Sequence, residues 1–172
     1  MQQSTQSILD NVLGLPVSNM GRASDLVWFH FGPQRTVANH FSGKPQVVAE
    51  WALHVQCPWR IVGPANIELA SADMYYPTTT EGKVDLDDFD WDRPGKNLLD
   101  EKVAILLASR HDAPFVITHI EIDRVGSLKL LLDTTHSLEV FPSSSLPREQ
   151  WRFFQPYQET PDLVLTGCGF ER

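Results

Sequence analysis

The sequence predicts a single α+β domain spanning residues 1–172, mainly antiparallel sheet, with one main helix on a sheet face and a short N-terminal helix at an edge. Three observations predict it. From Val47 to Cys57 (VVAEWALHVQC) the odd positions Val47, Ala49, Trp51, Leu53, Val55 and Cys57 are apolar. Glu50, His54 and Gln56 fall on the other side, and an alternation this long marks a strand with one packed face. After Pro114, three short runs (115–124, 128–133 and 137–141) read as a meander. Between these regions, residues 97–110 carry Leu99, Val103, Leu106 and Leu107 on one helical face.

In chain order, Ile8, Leu9, Val12 and Leu13 form a helical stripe that Ser4 or Thr5 can cap. Gly14 then suits the left-handed closing position, and Pro16 stops continuation. Leu26 to Phe31 (LVWFHF) reads as a largely buried strand ended by Gly32-Pro33, with 34–41 returning as its partner. Gly43-Lys44-Pro45 turns the chain into the central strand, and Pro58 closes that strand because it cannot donate to a ladder. Trp59–Val62 and Ile67–Ala70 flank the turn Gly63-Pro64-Ala65-Asn66. Residues 71–96 lose all periodicity and form a long acidic loop, the kind of connection that is functional or mobile when it exceeds ~15 residues. Asn97 can cap the main helix, with Asp100 and Glu101 in its first turn where the dipole favours acids. In the meander, a three-residue loop at 125–127 sets Ile122 opposite Leu130 and Ile120 opposite Leu132, which keeps apolar residues on one face. Residues 151–154 and 163–166 are the final short strands.

A hydrophobic share of 42%, with 21% charged residues, is ordinary for a globular chain. The formal charge of −8 excludes nucleic acid or an anionic membrane as the main partner, since both need a basic surface. Two cysteines, Cys57 and Cys168, read as reduced, largely buried thiols. The first residues lack a basic segment and an apolar core, and no run approaches the ~20 apolar residues of a membrane helix. A cytoplasmic protein is therefore expected.

No motif commits the chain to a reaction, and no cofactor or metal is expected. The densest polar feature lies between Glu81 and Glu101, where eight acids face three cations. Asp88, Asp90 and Asp92 alternate as in a calcium loop, but Arg93 and Leu99 stand where that loop needs Gly and Glu. The segment Asp87, Asp88, Phe89, Asp90, Trp91 and Asp92 reads first as a solvated acidic loop; the binding alternative is a docking loop in which Phe89 and Trp91 anchor a basic partner, unless those aromatics tuck back onto the domain. A second constellation is Glu50, His54, Arg60, Asp73, His119 and Glu121. If the central strand and the meander adjoin, its histidines and carboxylates converge as an acid–base site on the polar sheet face. Cys57 and His54 point to opposite faces and do not form a nucleophile–base pair.

Five strings, LHVQCPWR (53–60), ASADMY (70–75), LEVFP (138–142), WRFF (151–154) and LTGCGFE (165–171), resemble a family of small bacterial proteins of unestablished activity. The resemblance spans roughly Leu26 to the C-terminus and implies a bacterial cytoplasmic protein, without implying a cofactor or catalytic residue. By size and charge alone, small acidic α+β proteins look like immunity or antitoxin partners. The function expected is therefore non-enzymatic binding through an acidic surface, against a basic protein partner. The alternative is a small-molecule binder or hydrolase around His54 and His119. Monomer and homodimer are both open.

Overall fold

The computed structural model describes residues 4–39, 42–79 and 89–171. Helix α1 (Thr5–Leu9) is capped by Ser4, whose hydroxyl accepts from the Ser7 amide at 3.2 Å, and Gly14 closes the following turn with φ +79°. The strands β1 (Val17–Ala23), β2 (Leu26–Ala38), β3 (Pro45–Val55), β4 (Trp59–Val62) and β5 (Ile67–Ala70) follow. Helix α2 (Leu98–Ser109) comes next, then β6 (His119–Ile122), β7 (Leu128–Leu131), β8 (Ser137–Val140), β9 (Glu149–Phe154), β10 (Leu163–Thr166) and β11 (Gly169–Phe170). They form two antiparallel sheets, one ordered β1-β2-β3-β9-β10-β11 and the other β5-β4-β8-β7-β6. The α+β, mainly antiparallel class is the one the periodicities predict.

The core lies between the sheets. Val27, Phe29, Phe31, Leu53, Val55, Trp151 and Phe153 line the inner face of the six-stranded sheet, and Trp59, Ile61, Ile120, Leu128, Leu130, Leu138 and Val140 line the other. Phe29 meets Trp59 edge-on at 5.1 Å, and the buried Trp151 indole donates to the Gly126 carbonyl at 2.8 Å. Burial of each such side chain stabilises the fold by about 1.5–3 kcal/mol. Helix α2 lies against both sheets, packing beside β1 and β5 with Leu99 fully buried. Its cap is the one predicted, Asn97 Oδ1 accepting from the Asp100 amide at 2.8 Å.

Four expectations are corrected. Gly32-Pro33 does not end a strand: it is a bulge within β2, opposite Glu50, and Gln34–Ala38 continues the same strand along β3. Gly32 takes φ +78° and Pro33 needs no amide hydrogen there, so turn chemistry serves a bulge. The meander register is shifted by two, with Ile122 opposite Leu128 and Ile120 opposite Leu130. The loop has three residues as expected but runs 124–126, because Gly126 supplies the left-handed position (φ +87°) and Asp123 accepts the amides of Val125 and Ser127. The stretch 71–96 is structured at both ends: Ser71–Tyr75 is a 3₁₀ turn, and Tyr76 and Thr78 pair with Leu98 and Lys96. Cys168 is exposed, whereas Cys57 is buried as expected and its thiol is pushed up to about 12 by that burial.

Candidate functional site

The two outer faces differ, and the register explains how. On the six-stranded sheet, Trp28, His54 and Arg152 stand in one cross-strand row, and His30, Ala52 and Phe154 in the next. Gly21 of β1 lies opposite Trp28, and a Cβ there would stand 2.5 Å from the indole Cζ2. The indole therefore lies flat across a residue without a side chain. Ala52, fully buried, provides a second seat between His30 and Phe154. On these seats Trp28 stacks with His30 (6.2 Å, 27°), and His54 meets Phe154 edge-on at 4.8 Å. All four rings remain half-buried.

Burial shapes the electrostatics of this shelf. It lowers the pKa of His30 below the ordinary 6.5, helped by the neighbouring His54 charge. It lowers His54 as well, against the opposing pull of Glu149. Both imidazoles are therefore neutral at pH 7. Carboxylates stand at the margins. Glu149 and Asp162 grip Arg152 at 2.7 Å each, and Glu50 faces the β2 bulge. At the β1 edge, Arg22 (side chain 7% exposed) pairs with Asp92 at 3.2 Å and Asp100 at 2.8 Å. It also donates to the carbonyls of Trp91 and Asp92, tethering that acidic segment to the sheet. The Trp28 indole nitrogen is buried without an acceptor among the described residues.

The outer face of the five-stranded sheet carries charge instead. Arg60, Glu139, Lys129 and Glu121 stand in register across β4, β8, β7 and β6. Glu139 pairs with Arg60 at 2.7 Å and Lys129 at 3.6 Å, and His119 with Glu121 at 3.3 Å.

The predicted docking residues divide. Asp87 and Asp88 lie outside the described residues. Phe89 is half-buried and Asp90 exposed. Trp91 is corrected: it turns inward, packing on Tyr75 (5.3 Å) and the core, while its carbonyl accepts from Asn97 at 2.7 Å. Asp92 is held by Arg22. The expected convergence of His54 and His119 is also corrected, because β3 is flanked by β2 and β9 whereas β6 pairs with β7 in the other sheet. Glu50 and His54 share one outer face; Arg60, His119 and Glu121 belong to the other. Asp73 accepts the Ala70 amide and pairs with Lys102 at 3.0 Å. Arg60 sits over Phe141, 5.1 Å from the ring centre.

Sequence reasoning missed a polar cluster around His136, which is 8% exposed. Its Nδ1 lies 3.0 Å from Asp133, and its Nε2 lies 3.3 Å from Glu68 and 3.5 Å from Arg110. Arg110 covers Phe115, and the amides of Thr135 and His136 hold the Asp133 carboxyl down at about 2. The local signal is Asp133-Thr-Thr-His136, a turn in which an Asp binds the backbone after it. Its tie to β5 and to the end of α2 comes only with the fold. With both nitrogens engaged, His136 acts as a clasp. Among the described residues no group of three or more His, Cys, Asp or Glu side chains is arranged to hold a metal ion. Comparison with protein families, with curated proteins and with solved structures finds no match for this chain.

Proposed function

We propose that the protein is a non-enzymatic binding protein that engages a basic protein partner through the open face of the six-stranded sheet and the carboxylates along its margins. The observation that carries this reading is the aromatic shelf of Trp28, His30, His54 and Phe154, seated on Gly21 and Ala52 and left half-buried. Large rings half out of water, rimmed by charge, are what a binding hot spot is made of. The overall charge of −8 and the acidic segment tethered at β1 favour a positively charged partner, whose Lys or Arg side chains can lie over the rings. An immunity-like or antitoxin-like role in a bacterial cytoplasm fits this chemistry and the resemblance noted in the sequence.

Affinity capture from the native cell extract at about 50 and about 500 mM salt tests it. The reading expects a basic protein retained at low salt and released at high salt. It expects retention to fall roughly 100-fold in Trp28→Ala/Phe154→Ala. It also expects loss when Asp87, Asp88, Asp90 and Asp92 are all changed to Asn. A captured partner that is acidic, indifferent to salt, or held equally by the ring variant overturns it.

A further inference from the structure

We infer that a second site, separate from the open face, binds a small organic anion: a carboxylate on an apolar or aromatic body. The site is a cleft of about 620 Å³ where the β6–β7 turn, the loop after β8 and the β10–β11 hairpin meet. That volume falls within the range of small-ligand sites, roughly 300–1,000 Å³. Its floor is Leu165 and Phe170, and Phe170 rests edge-on against the buried Trp151 at 5.7 Å.

The walls are built rigidly. At Gly167 a Cβ would stand 2.3 Å from the carbonyl oxygens of Ser144 and Leu146, so hairpin and loop backbones touch as closely as a glycine permits. The loop is pinned from below by Gln150, 2% exposed, whose Oε1 accepts the amides of Ser143 (3.0 Å) and Ser144 (3.3 Å). The hairpin is pinned by Thr166, whose hydroxyl donates to the Gly169 carbonyl and accepts the Cys168 amide. Walls fixed in this way cost little to order when a ligand arrives.

The chemistry of the lining selects the ligand. Ser143 and Ser145 line the cleft, and among the described residues neither hydroxyl makes a hydrogen bond. Arg124 is the one charged side chain among the lining residues, and it has no ion-pair partner among the described residues. In a chain carrying −8, a guanidinium with no ion pair among the described residues, lining the same cleft as two serine hydroxyls and an aromatic floor, is suited to a carboxylate, which it can take with two parallel hydrogen bonds.

Benzoate and its neutral analogue benzamide test the inference by amide chemical-shift mapping on the full chain, titrated to about 20 mM. Expected are saturable shifts with benzoate at Ser143–Ser145, Gly167 and Gly169. Benzamide should bind roughly tenfold more weakly, as should benzoate to Arg124→Gln, an exposed position whose change leaves the rest of the spectrum in place. A second variant, Ser145→Leu, should fill the cleft and abolish the shifts. Absence of shifts with wild type, equal binding of the two probes, or shifts centred on His54 and Phe154 would each overturn the assignment.

Discussion

The two outer faces are made from the same antiparallel pattern, yet one completes its interactions internally and the other does not. On β4, β8, β7 and β6 opposite charges alternate across the ladder, Glu139 serves two cations at once, and Glu121 meets His119 along its own strand. That surface is finished in water and offers a visitor little. On β1, β2, β3 and β9 the outward residues include rings resting on Gly21 and Ala52, with two neutral imidazoles and a buried indole N–H that has no acceptor among the described residues. Keeping such residues half-hydrated costs stability, which a second surface can recover. The comparison teaches that outward polarity alone does not locate a site. What separates the faces is whether their groups already have partners.

Three substitutions or conditions sharpen the contrast. The largest effect belongs to Arg22, which is almost fully buried and holds Asp92, Asp100 and two carbonyls at the margin of the ring-bearing sheet. Arg22→Met should cost about 2 kcal/mol, since it strands the partly buried Asp100 carboxylate while the exposed Asp92 returns to water, and urea denaturation reads it directly. Equal stability of this variant and the wild type would mean the tether contributes nothing. A smaller loss is expected from Glu139→Gln on the charged face. Its partners are more than two-fifths exposed, so the change should amount to about 0.5–1 kcal/mol and vanish in molar salt. A loss of several kcal/mol would make that face more than a solvated ladder.

The smallest effect is in pH dependence. His30 and His54 have folded pKa values below 6.5, so the unfolded chain takes up protons more readily than the folded one. Their contribution is therefore complete above pH 6.5 and declines as pH falls below it. His30→Gln/His54→Gln should flatten thermal stability between about pH 6.5 and 5. For Asp133, held at about 2, the sign is the familiar acid one: its share persists above the ordinary carboxylate range and is lost toward pH 2. If the double histidine variant keeps the wild-type profile, the two imidazoles do not titrate with folding.

Much of the fold was legible because period-two and period-3.6 patterns survive packing. β3, β4, β5, β8, β10 and α2 with its Asn97 cap fall where the pattern puts them. β2 did not, because Gly-Pro is written the same way whether the chain turns or bulges, and only the pairing of Gln34–Ala38 with β3 decides it. β1 was missed for a related reason: VSNMGRA has Gly21 where an alternating strand would carry a side chain, and that gap exists to seat Trp28. The meander kept its faces and lost its register, since moving a loop by one residue shifts the pairing by two. The site was less legible. Parity places Glu50 and His54 on the outward face, but LVWFHF reads as a largely buried strand with no period to separate Trp28 and His30 from the core residues. Trp91 carried the opposite ambiguity, as aromatics between acids look like a docking tip until Tyr75 and Asn97 claim them.

The indole–carbonyl bond from Trp151 to Gly126 runs from a strand of one layer to a turn of the other, inside hydrocarbon where no solvent molecule can substitute for either group. Neither layer can open without first extracting that ring. Amide protons on β3 and on β8 are therefore expected to exchange through the same rare excursion, so that hydrogen exchange should report one cooperative unit rather than two.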